Sequence, residues 1–131
     1  MEYLKIIAFT HKQIDLKALG KLVICEHTLD DRLRNIQSEL SIKEIFYIGT
    51  CNRVEFVFTS AQEVDKDFIG RFLQVLDMGL PQKYIEQFIE NVSVYEKTQA
   101  FNHLLRISCS LESLVVGEKE ILAQVRKAYE S

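Results

Sequence analysis

Two apolar runs separated by five small or polar residues constrain this chain more than any other feature. Ile45-Phe46-Tyr47-Ile48 and Val54-Glu55-Phe56-Val57-Phe58-Thr59 flank Gly49-Thr50-Cys51-Asn52-Arg53. Both runs are rich in β-branched and aromatic residues, the composition of a strand. Gly49 breaks the first run, and Asn52 tolerates the left-handed backbone that a tight connection often needs. The segment therefore reads as two strands meeting at a corner that carries a hydroxyl, a thiol, an amide and a guanidinium. A thiol on such a corner can be exposed, near backbone N–H groups and beside a fixed positive charge. Those conditions favour the thiolate and make a nucleophile. The competing reading is a buried cysteine packed as a small hydrophobe.

The remaining chain supplies elements around that corner. Tyr3 to Phe9 reads as a strand, Thr10 to Ile14 as a loop and Leu16 to Val23 as a short helix. Leu29, Leu33, Ile36 and Leu40 recur on one helical face, so Thr28 to Leu40 reads as a helix with Thr28 as N-cap. Val64 to Leu76 returns to helical period, and Met78-Gly79-Leu80-Pro81 stops it. Gln82 to Ile89 reads as a helix, Val92 to Tyr95 as a strand and Thr98 to Ile107 as a helix. A final helix begins at Ser113 or Gly117. Ile121, Leu122, Val125, Ala128 and Tyr129 keep helical spacing to the end, so that helix reads as cut short. The order β-α-β-β-α-β is the ferredoxin-like split βαβ pattern, an α+β fold with additional C-terminal helices. Four strands with helices on one face would bury Ile6, Ile48, Val57 and Val94 or their neighbours.

At 131 residues the chain is one domain by size, 1–131, with enough length for a core. Its net charge of −3 is not the footprint of a general nucleic-acid binder. Cys25, Cys51 and Cys109 are odd in number and lack C-x-x-C spacing, which argues against a disulfide framework and a zinc site. No metal is expected. Cys25 and Cys109 read as packing residues. A start without a basic region and long apolar run, and the lack of any apolar run near ~20 residues, fit a cytoplasmic protein with no membrane span. The five glycines lie far apart, so no dinucleotide-binding G-x-G-x-x-G loop is present.

Thr50-Cys51-Asn52-Arg53-Val54-Glu55 resembles the nucleophile motif of the glutamyl-tRNA reductase family. The segment from His103 to Val125, with His103-Leu104-Leu105-Arg106, Leu111-Glu112-Ser113 and Gly117-Glu118-Lys119-Glu120-Ile121-Leu122-Ala123-Gln124-Val125, is similar to a second long pattern of that family. Ala8-Phe9-Thr10-His11-Lys12 is a weaker third match, where the family usually carries G-x-N/S-H-K/R. The three stand in the family's order. The chain departs from the pattern at Ala8 for Gly, Gly49 for Ser, Ser110 for Gly, and Lys119-Glu120 for Pro-Gln.

The resemblance implies the N-terminal catalytic domain of an NADPH-dependent oxidoreductase, with the NADPH-binding and dimerisation domains absent from this chain. It implies that the thiolate of Cys51 attacks the ester of glutamyl-tRNA, that a thioester forms, and that hydride from NADPH releases glutamate-1-semialdehyde. This is the first step of tRNA-dependent 5-aminolevulinate and tetrapyrrole (porphyrin) biosynthesis. The fragment alone is expected to lack hydride transfer. His103 is implicated in the chemistry; it could hydrogen-bond the thiol, take its proton or orient the ester. Arg53 would read the substrate's side-chain carboxylate through a two-bond fork, or else form a surface ion pair with Glu55 or another acid. Thr50 and Asn52 would donate to the aminoacyl group or shape the turn. Ser113, Glu118 and Gln124 match positions lining the glutamate pocket, with Lys119 and Glu120 in the same stretch. The full-length protein would be a homodimer that hands its product to glutamate-1-semialdehyde aminomutase. Two other classes stay open on the residues: a non-catalytic ferredoxin-like interaction or RNA-binding module, and an unrelated thiol enzyme.

Overall fold

The computed structural model describes residues 2–50, 52–111 and 115–117, with side chains described as far as residue 107. Strand β1 spans Leu4–Thr10, followed by helices α1 (Leu16–Gly20) and α2 (Glu26–Leu40). Strands β2 (Ile45–Gly49) and β3 (Arg53–Thr59) form the expected pair around the corner. Helices α3 (Lys66–Leu76) and α4 (Gln82–Asn91) lead to β4 (Ser93–Glu96), α5 (Lys97–Leu111) and a short β5 (Val115–Gly117). The strands form one sheet in the order β4-β1-β3-β2-β5, antiparallel at every pairing. The fold is α+β.

Both faces of the sheet are covered, which corrects the expectation of helices on one face. Strand side chains alternate, so each strand feeds two cores. Ile7, Phe9, Tyr47, Val54, Phe56 and Phe58 face the larger core, which the first four helices cover. Leu29, Leu33, Ile36 and Leu40 of α2 all contribute to it, as their spacing predicts. Phe56 meets Phe72 edge to face at 4.9 Å between ring centroids, and Phe58 stacks on Phe68 at 5.8 Å. Leu4, Ile6, Ala8, Phe46, Ile48 and Val57 face a smaller core on the opposite side. Helix α5 closes it with Ala100, Leu104 and Ile107. Ile6, Ile48 and Val57 thus share one face, whereas Val94 packs on the other. The cause is visible in β3. A run with apolar residues at 54, 56 and 58 and again at 57 is a strand buried on both sides.

Two further boundaries and the exposure of one cysteine differ from the sequence reading. Helix α2 begins at Glu26 with Cys25 as N-cap. Thr28 lies in the first turn, where its Oγ1 donates to the Cys25 carbonyl. Cys25 is exposed, not packed, because the inward position goes to its neighbour Ile24. Residues 115–117 pair with β2 as an edge strand where a helix start was read. Val115 and Val116 favour extended backbone, and the open edge of β2 supplies hydrogen-bond partners. The expected terminal helix lies outside the described residues.

Candidate functional site

The β2–β3 corner is built by backbone geometry and one side chain. The Thr50 N–H donates to the Arg53 carbonyl at 2.8 Å, and the Asn52 N–H donates to Thr50 Oγ1 at 3.2 Å. Thr50 and Asn52 thus both take part in the turn. The Asn52 carbonyl faces His11, accepting from its backbone N–H at 3.0 Å and lying 3.3 Å from Nδ1. The end of β1 is thus tied to the corner, and the weak third match of the sequence reading stands beside the strong first one. Cys51 itself lies outside the described residues.

Gly49 has a spatial reason. A Cβ built on it would stand 2.1 Å from Tyr47 Oη and 2.4 Å from the ring carbon that bears it. Tyr47 leans along its strand over Gly49, and its hydroxyl accepts from the Ile24 N–H at 3.0 Å. Burial raises the Tyr47 pKa, partly offset by that N–H. The departure from Ser to Gly at position 49 thus accompanies a tyrosine that fills the side-chain space.

Two residues inward from the corner lies Glu55. It occupies the central strand β3, between Ala8 of β1 and Ile48 of β2, and is fully buried. Its Oε2 accepts from Arg53 Nη1 at 2.7 Å and its Oε1 meets His103 Nε2 at 2.6 Å. Arg53 reaches it because residues two apart on a strand share a face. His103 reaches it because Ala100, His103, Leu104 and Ile107 form the inward stripe of α5. The His103 ring stacks on Tyr95 of β4 at 4.1 Å between centroids and 11° between planes. Arg106, one turn along α5, brings Nη2 to 3.4 Å from His103 Nδ1.

The structure joins Arg53 and His103, two residues picked from different motifs, through a carboxylate that was read only as a surface partner of Arg53. That partner is buried, which corrects the surface ion pair. Tyr95 and Arg106 are the members that sequence reasoning missed, and for Glu55 it missed the burial and the link to His103. Glu55 carried a legible signal: a lone acid inside Val54-Glu55-Phe56-Val57-Phe58 must find cations or donors if the strand is central. Among the described residues no buried side-chain nitrogen or oxygen lacks a partner. Ser113, Glu118, Lys119, Glu120 and Gln124 lie outside the described residues or side chains.

Among the described residues no group of three His, Cys, Asp or Glu side chains is placed to hold a metal ion, and no helix is long and apolar enough to cross a membrane. The described residues also lack the cradle of a Rossmann-type dinucleotide site. That cradle takes the pyrophosphate at a glycine-rich turn between a parallel-sheet strand and its helix. Here every pairing is antiparallel, and Gly20, Gly49, Gly70 and Gly79 stand on separate elements or turns.

The described residues form an α+β domain in which an arginine and a histidine are joined by a buried carboxylate. A family model described as glutamyl-tRNAGlu reductase, N-terminal domain, matches residues 7–131, and the chain belongs to that family. Curated relatives named glutamyl-tRNA reductase include one from Wolinella succinogenes, 35% identical over 130 residues, covering 98% of this chain and 29% of the relative. Another, from Campylobacter curvus, is 34% identical over 131 residues with the same coverage of 98% and 29%. A solved structure, glutamyl-tRNA reductase from Methanopyrus kandleri, aligns with a TM-score of 0.57 and 28% identity over 99% of this chain and 28% of that one. The chain thus spans less than a third of the length of these relatives.

Proposed function

We propose that this chain is the glutamyl-accepting catalytic domain of a glutamyl-tRNA reductase, acting in tetrapyrrole synthesis in the cytoplasm. Its strand order β4-β1-β3-β2 with β5 added at the edge is read as a ferredoxin-like split βαβ. The thiolate of Cys51 attacks the ester carbonyl of glutamyl-tRNA. A carbon–sulfur bond forms, the ester carbon–oxygen bond breaks, and a proton goes to the departing ribose oxygen. The product is a glutamyl thioester on Cys51. A thiol suits this step because at pKa ~8.5 a few per cent is already thiolate at neutral pH.

The observation that carries the reading is the bridge from Arg53 through Glu55 to His103. It draws residues of two separate family motifs to the hairpin that bears Cys51. Arg53, still 28% exposed along its side chain, is assigned to the substrate's side-chain carboxylate. Ser113, Glu118, Lys119, Glu120 and Gln124 are assigned to the glutamate pocket on the resemblance alone. Reduction of the thioester by NADPH, dimerisation and transfer of the aldehyde to an aminomutase are assigned to the portion of the relatives' length beyond this chain. Incubation with labelled glutamyl-tRNA tests the reading. Label should become covalently bound to the wild-type chain and not to Cys51→Ser; label retained by the serine variant would place the nucleophile elsewhere.

A further inference from the structure

We propose that Glu55 is a positioning residue that fixes which nitrogen of His103 carries the proton, leaving Nδ1 as the lone pair. The inference rests on the reading of Cys51 as glutamyl acceptor only for its catalytic consequence. Three neighbours determine the ring's state. The carboxylate of Glu55, ion-paired to Arg53 through Oε2, offers Oε1 as an acceptor, so the nitrogen 2.6 Å away is the N–H. On the opposite side of the ring stands Arg106, whose guanidinium has donors and no acceptor. The nitrogen facing it, Nδ1, must therefore present its lone pair. The two neighbours agree on one tautomer from independent directions.

The third neighbour holds the ring's plane. Tyr95 stacks on His103 nearly parallel, and the two residues sit on different elements, β4 and α5. Turning the imidazole over within that plane would leave carbon Cε1 facing Glu55 and carbon Cδ2 facing Arg106, breaking both polar contacts. Glu55 is also enclosed. It is fully buried on the central strand, with Ala8 and Ile48 on either side, and both its oxygens are engaged. Arg106 is exposed, so it is the one polar partner that can withdraw without uncovering a buried group. The geometry is that of a base oriented by a third group. His103 is held ready to accept a proton at Nδ1, and one carboxylate keeps it in register with Arg53.

Long-range proton–nitrogen NMR of the chain labelled with 15N-histidine reads the tautomer directly. The wild type should show His103 protonated at Nε2 and bare at Nδ1. Glu55→Gln keeps the shape but offers both a donor and an acceptor, so His103 should shift toward the other tautomer or an exchanging mixture. Arg106→Leu should leave the Nε2–H form in place. In parallel, Glu55→Gln should slow glutamyl transfer to Cys51 at saturating glutamyl-tRNA by about 10²- to 10⁴-fold, the range of a lost acid–base contribution, with a smaller change in half-saturation. A wild-type ring protonated at Nδ1, or an unchanged tautomer in folded Glu55→Gln, overturns the proposal. If Glu55→Gln does not fold, the wild-type spectrum still decides. Absence of glutamyl transfer in the wild type would defeat the functional reading while leaving the tautomer measurement intact.

Discussion

Glu55 sets the residue-scale energetics of this domain. A carboxylate in the middle of a sheet costs several kcal/mol to desolvate and is tolerated because Arg53 and His103 engage both oxygens. Removing the Arg53 charge strands it. Arg53→Ala should therefore destabilise the fold by about 3–5 kcal/mol, read as a shift of the urea midpoint. Arg53→Lys keeps a cation beside Glu55 and should fold, yet lose the two-bond fork for the substrate. Glutamyl transfer should then weaken ~10- to 150-fold, the equivalent of ~1.5–3 kcal/mol. Near-normal transfer by a folded Arg53→Lys would assign carboxylate reading to another residue. The corner has its own constraint. Gly49→Ala drives a methyl into Tyr47 and should cost about 1–3 kcal/mol, most of it recovered when Tyr47→Leu is added. Equal costs in the single and double variants would mean that Tyr47 is not the obstacle. Tyr47 also gives a pH signature. Its folded pKa lies above the unfolded value of about 10, so its contribution to stability is complete below that pH. It is lost as pH rises through the folded value, and Tyr47→Phe should blunt this alkaline loss in denaturation curves.

At the scale of elements, what the sequence revealed and what it hid follow from how local each signal is. The strand pair around Cys51 was legible because its β-branched and aromatic runs need no partner to be recognised. The face of α2 was legible because Leu29, Leu33, Ile36 and Leu40 encode their own periodicity. The start of α2 was not, since Cys25 caps it without a side-chain hydrogen bond while Thr28 mimics a cap three residues later. Residues 115–117 were misread because edge pairing to β2 is a long-range event with no local mark. The same holds for Glu55: its strand position was plain, but its partner sits 48 residues away. Helix α3 shows a local signal that can be measured. Asp65 caps it, its carboxylate accepting from the Phe68 N–H at 2.8 Å. Asp65→Ala should lower stability by about 0.5–2 kcal/mol with the m-value unchanged, and Asp65→Asn should recover most of it. No loss in Asp65→Ala would show that α3 is fixed by Phe68, Phe72 and the rest of its buried face alone.

The whole molecule is a sheet with unequal coverings, and the proposed site lies on the thinner side. The larger core under four helices makes the scaffold. The smaller side holds α5, and with it His103 above the polar end of β3. The proposed chemistry is thereby assigned to the space between the single helix and the sheet, at the end of β3 that leads into the β2–β3 corner. On the proposed reading this arrangement serves acyl transfer, while the antiparallel topology of the described residues lacks the parallel-strand cradle of a Rossmann-type dinucleotide site. The expected outcome is a split activity. Given glutamyl-tRNA, the chain should release tRNA and hold glutamate as a thioester, which water then removes slowly. Adding NADPH should change neither the rate of tRNA release nor the fate of the thioester. Titration of NADPH fluorescence against the chain should show no saturable binding in the micromolar range, and no aldehyde should be trapped by hydroxylamine-type reagents. Saturable micromolar binding or trapped glutamate-1-semialdehyde would relocate the cofactor site into this domain, and the division between an acyl-accepting part and a reducing part would fall.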